Sequence, residues 1–224
     1  MTMTSHVQEQ AGVAVLGSGA GAAPGQDFTR LPDLASRSLG GSVVHTNDER
    51  FAERENLIEP EAPSYSTYTF GHEGQVYDGW ETRRRREPGF DSAIVSLGAP
   101  GVVRGVVVDT AFLTGNHPPE VSVEGAAVEG HPSPGELQDA EWVPLVPRAP
   151  AAGDTRNAFA VDQPQRFTHV RLCMHPDGGV ARLRVHGEVV PDPRFLDPGT
   201  TAWSPPRATT SRPPGGPAST PRWR

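Results

Sequence analysis

Strict two-residue alternation in the last third of the sequence commits this chain to strands. Between Thr168 and His175, Val170, Leu172 and Met174 fall on one side of an extended chain. His169, Arg171, Cys173 and His175 fall on the other, as a half-buried strand requires. Pro176-Asp177-Gly178-Gly179 follows, a turn in which proline sets φ and glycine admits positive φ. Val180 to His186 then alternates again, with Leu183 and Val185 inward and Arg182, Arg184 and His186 outward. The pair predicts a β-hairpin.

Other short runs carry the same signal. Glu120 to Glu124 alternates. Ala93 to Leu97 is apolar and is closed by Gly98-Ala99-Pro100-Gly101, and a valine-rich stretch from Val102 to Asp109 comes next. Trp142-Val143-Pro144-Leu145 is weaker, and its proline places it at a sheet edge. With 25 glycines and 24 prolines in 224 residues, the chain is punctuated for many turns and has no long amphipathic helix. The expected fold is all-β, an antiparallel jelly-roll sandwich. One short helical turn is expected over Leu31 to Ser36, with Asp33 at its cap. Residues 1–27 read as a flexible leader and residues 28–197 as the domain. Residues 198–224 hold Arg207, Arg212, Arg222 and Arg224, no acid, and mostly Pro, Thr, Ser, Gly and Ala. That composition predicts disorder.

A formal net charge of −7 argues against a partner bound through its phosphate backbone. One cysteine, Cys173, excludes an intrachain disulfide and a CxxC metal knuckle and suits a reducing compartment. No apolar stretch approaches the roughly 18 residues of a membrane span, and the N-terminus lacks the pattern of a secretory signal. The expectation is a cytoplasmic protein with no nucleic-acid or membrane partner. No cofactor is evident.

Four segments could carry chemistry. Gly17-Ser18-Gly19-Ala20-Gly21-Ala22 after an apolar run imitates a dinucleotide fingerprint. Pro24 and Gly25 interrupt the helix that the motif needs. Arg83 to Arg86 is a basic run flanked by Glu81 and Glu87. It is either a solvated, ion-paired surface or a holder for a small carboxylate. On the polar face of 168–175, His169 and His175 lie about 20 Å apart in an extended strand, too far to share one metal ion. Cys173 reads there as a small buried residue and its neighbours as partly exposed. Asn47-Asp48-Glu49, Asp78, Glu81 and Asp109 sit at loop or strand ends, where they either serve a site or cap turns.

Taken in order, several stretches resemble the allantoicase family. They are Leu31 to Arg37; Asn47-Asp48-Glu49 with Ala52 to Ile58; Tyr77 to Arg86, which contains Gly79 and Trp80; Val106 to Phe112 with Thr114-Gly115-Asn116; and Thr168 to Leu172 with Pro176 to Arg182. Arg50 departs from the pattern, which has an aromatic there. The resemblance is to the first of two repeats. The residues after about 200 do not continue into a second repeat and read as truncated or frameshifted. The resemblance implies discoidin-like jelly rolls, homo-oligomers of the two-repeat form, and hydrolysis of allantoate to ureidoglycolate and urea in purine degradation. It implies Asp78, Glu81 and His169 as candidates for proton transfer. Arg83, Arg84, Asn116, Arg171 and Arg182 are the candidates for holding substrate, and Asn47, Asp48, Glu49, Gly79, Trp80, Asp109 and Asp177 are further motif positions. No metal ligand is implied. A non-catalytic sandwich that binds a small ligand such as a carbohydrate is the alternative.

Overall fold

The spine of the fold is a single strand of 19 residues, β5 (Asp91–Asp109). In the computed structural model, which describes residues 27–65, 70–71, 74–75, 78–192 and 194, the two expected runs on either side of Gly98-Ala99-Pro100-Gly101 are continuous. Their pairing changes at that corner, where the register shifts between Ser96 and Gly101. Before the corner β5 lies between β1 (Ser42–Thr46) and β9 (Arg166–His175). After it, β11 (Arg182–Val189) runs along one side of β5, and the other side holds the start of β9 at Gly101 and Val102 and then β8 (Arg156–Ala160) from Gly105. On its far edge β9 carries β6 (Glu120–Ala126), and β6 carries β7 (Val143–Pro150) as the edge strand. All these pairings are antiparallel.

One strand therefore serves two layers, and their inner faces share one core. Ala93, Val95 and Leu97 from the first half of β5 join Val103, Val106 and Val108 from the second. Val121, Val123, Val170, Leu172, Met174, Leu183 and Val185 also belong to it, as do Leu34, Leu57, Ile58, Trp80 and Phe167. Each such side chain stabilises the fold by about 1.5–3 kcal/mol when fully buried. The corner is tight. A Cβ at Gly101 would lie 2.1 Å from the Glu188 carbonyl oxygen, and one at Gly98 would lie 2.4 Å from the Gly41 nitrogen. Both contacts are with backbone, so only glycine lets the strand pass from one layer to the other.

The all-β sandwich is borne out, with inward Val121 and Val123 in β6, inward Val170, Leu172 and Met174 in β9, and β7 at the edge. Three details differ. The segments 168–175 and 180–186 do not form a hairpin with each other. Strand β9 pairs mainly with the first half of β5, reaching past the corner only at Phe167 and Arg166, while β11 pairs with the second half. Between them the two residues of β10 (Gly179–Val180) pair with β4 (Trp80–Glu81). A turn rather than a helix occupies Leu31 to Ser36. The Asp33 carboxylate accepts from the Ala35 and Val185 amides at 3.2 and 2.9 Å and ties the turn to β11.

The polar faces are also less exposed than alternation alone suggests: His169, Arg182 and His186 are all buried. Over β9 the cover is the connection between β6 and β7. Its helix α1 (Pro134–Gln138) starts at a capping box of Ser133 and Glu136. The Trp142 ring lies 4.5 Å from the Arg171 guanidinium, and the Val128 amide donates to Thr168 Oγ1 at 2.9 Å.

Short β2 (Phe70–Gly71) and β3 (Gly74–Gln75) pair with each other and, among the described residues, with no other strand. The chain divides into two units, Met1–Pro191 and Asp192–Arg224. Of the second, only Asp192 and Arg194 are described, joined by an ion pair at 2.6 Å. The expected leader up to residue 26, the dinucleotide-like Gly17 to Ala22, Tyr77 and the expected disordered tail lie outside the described residues. Among the described residues no helix is long and apolar enough to cross a membrane.

Candidate functional site

Trp80 organises the end of the sandwich that carries the motif residues. It is fully buried, and its indole N–H donates to the Asp48 carbonyl at 2.8 Å. Burial of the ring and satisfaction of its one polar atom fix β4 against the loop 47–52. Gly79 permits this approach, because a Cβ there would lie 2.7 Å from the Val180 carbonyl oxygen. Its own carbonyl accepts from Asn56 at 3.0 Å.

After β4 the chain enters the arginine run, which walls a groove of about 1090 Å³ together with Asn47, Asp48, Phe51, Glu87 and Asp91. The four arginines are not equivalent. Arg83 Nε donates to Asp48 at 2.7 Å. Arg84 is 83% exposed and lies 4.0 Å from Asp177. Arg85 is held twice, its amide donating to Asp177 at 2.8 Å and its Nη1 to Asp91 at 2.6 Å. Burial opposes ionisation of Asp48, but hydrogen bonds from Arg83 and the Arg50 amide outweigh it and hold its pKa below the usual aspartate value.

A second group stands across the turn Pro176 to Gly179. The partly buried Glu81 carboxylate accepts from Asn116 Nδ2 at 2.7 Å. Burial pushes its pKa up, and the Asn116 bond offsets this only in part. The turn links the two groups. Asp177 receives the Arg85 amide, and the Gly179 amide donates to the Asn116 carbonyl at 2.8 Å.

Asp78 and Arg182 have another duty. Arg182 is 2% exposed, pairs with Asp78 at 2.7 Å, and donates to the carbonyls of Glu61, Asp78 and Ala181. Burial raises the Asp78 pKa, but bonds from Ser64 and Arg182 more than reverse this and leave it lowered. That carboxylate is anchored and ionised, and it is poorly suited to giving up a proton. Glu49 receives the Arg54 amide at 3.4 Å, and Asp109 receives the Ala111 amide at 2.9 Å.

His169 and Arg171 lie elsewhere, on the outer face of β9. Burial lowers the His169 pKa, and its Nδ1 lies 2.8 Å from Thr168 Oγ1. Arg171 pairs with Glu124 at 2.5 Å. The structure brings neither to the groove. Cys173 shares that face, and burial pushes its thiol up to about 11, so it is not an activated nucleophile. The folded protein is therefore expected to resist iodoacetamide at pH 8, while the denatured chain is alkylated at Cys173. Intact mass before and after denaturation checks this, and rapid labelling of the native state would refute it. Among the described residues no group of three His, Cys, Asp or Glu is placed to hold a metal ion.

Comparison with known proteins places this geometry. The family model described as the allantoicase repeat matches residues 32–190. The chain belongs to the allantoicase family. A probable allantoicase from Nocardia farcinica is 59% identical over 171 residues, covering 75% of this chain and 52% of that protein. The crystal structure of allantoicase from Saccharomyces cerevisiae is 39% identical with a TM-score of 0.63, covering 75% of this chain and 51% of that one. The chain thus spans about half the length of the curated relatives it matches. A family 32 carbohydrate-binding module from Clostridium perfringens is 10% identical with a TM-score of 0.50, over 73% of this chain and 99% of the module. At that identity the likeness shows the sandwich alone.

Within the allantoicase repeat, the residue that sequence reasoning missed is Asp91. It opens β5 two positions before the apolar run Ala93 to Leu97 and belongs to no quoted motif. Its signal is a lone acid at 1% exposure, visible only once the strand is folded.

Proposed function

We propose that this repeat carries allantoate-cleaving chemistry, in which allantoate and water give ureidoglycolate and urea. Allantoate bears one carboxylate and two ureido groups on a single carbon. Cleaving the bond from that carbon to a ureido nitrogen requires a proton on the departing nitrogen and a water oxygen on the carbon. The observation that carries the reading is Glu81, a carboxyl whose pKa burial raises, in the short strand that leads into the arginine run lining the groove. A raised carboxyl holds its proton closer to neutrality and can deliver it to the leaving nitrogen. The arginines supply cationic hydrogen-bond donors for the substrate carboxylate, each bond worth about 1.5–3 kcal/mol. Asn116 orients the Glu81 carboxyl. On this reading the protein is a cytoplasmic purine-degrading hydrolase, homo-oligomeric in its two-repeat form.

The test is urea release. Purified protein given allantoate is expected to yield urea and ureidoglycolate in equal amounts. Binding of allantoate by a folded chain with no urea above the buffer control would return the protein to the class of non-catalytic ligand-binding sandwiches.

A further inference from the structure

The four arginines that line the groove divide into two kinds. Arg83 and Arg85 are already committed. Arg83 Nε donates to the largely buried Asp48 at 2.7 Å, and Arg85 Nη1 donates to the buried Asp91 at 2.6 Å. Both acids belong to the groove wall, so each of these cations meets its counter-charge within the protein. Arg84 and Arg86 are different. Arg84 is almost wholly exposed, and its paired acid, Asp177, lies 4.0 Å away and already accepts the Arg85 amide. Arg86 is exposed, and among the described residues its side chain has neither a hydrogen bond nor an ion pair. Glu87, the third acid of the wall, is exposed and likewise has no ion pair among the described residues. The groove therefore carries two open guanidiniums against one open carboxylate. The chain as a whole has a net charge of −7. Such a chain repels anions at long range, so an anion in this groove has to be met by cations at short range.

We propose that Arg84 and Arg86 hold the substrate carboxylate, while Arg83 and Arg85 shape the groove without binding it. This rests on allantoate being the substrate. An arginine that already donates to a buried carboxylate can turn to a ligand only by leaving that acid unpaired, and an unpaired buried charge costs more than one new bond returns. An open arginine gives up only water and rotamer freedom. The guanidinium donates and never accepts, so the two side chains select an anion, which offers acceptors alone, over a neutral amide of the same shape. Glu87 opposes that anion and limits its affinity.

The test uses titration calorimetry of the full chain with two small probes. Ureidoacetate carries a carboxylate and one ureido group. Ureidoacetamide is the same size, with a neutral amide in place of the carboxylate. The parent protein is expected to bind ureidoacetate at least about 10-fold more tightly, because charge-assisted bonds are the strong ones. Arg84→Gln and Arg86→Gln should each cut that preference by at least about 3-fold, and the double variant should abolish it. Both side chains are exposed, so these variants are expected to keep the parental circular dichroism. Glu87→Gln removes the opposing charge and should tighten ureidoacetate by about 2–5-fold, leaving ureidoacetamide unchanged. Arg104 pairs with Glu188 and does not line the groove. Arg104→Gln removes the same charge there and should leave the preference within about 2-fold of the parent. No preference in the parent, an unchanged preference in the double variant, or an equal loss in Arg104→Gln overturns the proposal. In an active chain, Arg86→Gln should raise KM for allantoate at least about 5-fold and leave kcat within about 3-fold, the mark of lost ground-state binding. The activity is separable: a chain that shows the arginine-dependent preference but releases no urea from allantoate keeps this assignment and loses the hydrolysis. A chain that releases urea while the double variant keeps the parental KM and preference loses the assignment alone.

Discussion

Glu81→Gln is expected to lower urea release from allantoate by about 10²–10⁴-fold, the usual contribution of a positioned general acid, without lowering stability at neutral pH. The glutamine retains an oxygen for the 2.7 Å bond from Asn116 but has no proton to deliver. The stability half of the prediction follows from linkage. Burial raises the folded-state pKa of Glu81 above its ordinary value of 4.5. The contribution of this group to stability is therefore fully present below that value, and it is lost as pH rises through the higher folded value. Ionising the buried side chain therefore costs stability, and the neutral amide removes that cost. Activity and unfolding midpoint should thus move independently, with turnover down and stability level or up. A variant that keeps parental turnover would remove Glu81 from the mechanism. A variant that loses turnover together with its fold would show that the loss was structural.

Arg182→Ala should cost about 3–5 kcal/mol, the range for removing one partner of a buried ion pair. Three carbonyls and the Asp78 carboxylate lose a donor together. For a domain of this size the unfolding midpoint should fall by about 6–20 °C, at roughly 2–4 °C per kcal/mol. Arg182→Lys should recover only part of this, because an ammonium cannot meet the carbonyls of Glu61, Asp78 and Ala181 in the geometry of a planar fork. Thermal denaturation followed by circular dichroism measures both. A change under about 1 kcal/mol in Arg182→Ala would mean that the cluster contributes little and that Arg182 is free for other duty. Its contribution should also fade in acid. Bonds lower the Asp78 pKa below its ordinary value of 3.8, so the gain is held above that value and lost as pH falls through the folded one.

Most of the long strands of this fold were legible, β1 and β8 were not, and the pairing of the strands was not. Alternation in β6 and β9 reports directly which side chains turn inward, because pleating fixes it residue by residue. The pairing of β9 with β11 seemed to follow from the turn at Pro176 to Gly179, yet a turn sets direction locally and cannot announce that the next strand joins the other layer. The corner in β5 hid for the same reason. Gly98-Ala99-Pro100-Gly101 has the composition of a loop, and only close packing against Gly41 and Glu188 makes it part of a strand. Outward faces were misjudged where something distant covers them, as the segment before Ser64 receives the buried Arg182. The candidate site divided along the same line. The motif run supplied Glu81, Arg83 and Arg84 through their neighbours in sequence. Asp91 acts only through Asn47 and Arg85, 44 and 6 positions away, and separations of that kind leave no local pattern.

The shared strand β5 also bears on how faithfully the domain can assemble. In a sandwich of two independent sheets, one sheet can settle a residue out of step while the other is correct. Here a slip of one residue in β5 would turn Ala93, Val95 and Leu97 outward and would displace Val106 and Val108 at the same moment, since each step along a strand reverses its faces. A misaligned chain would thus lose both inner surfaces at once, and half-correct arrangements have little to hold them. Continuity through the corner makes the two layers proofread each other.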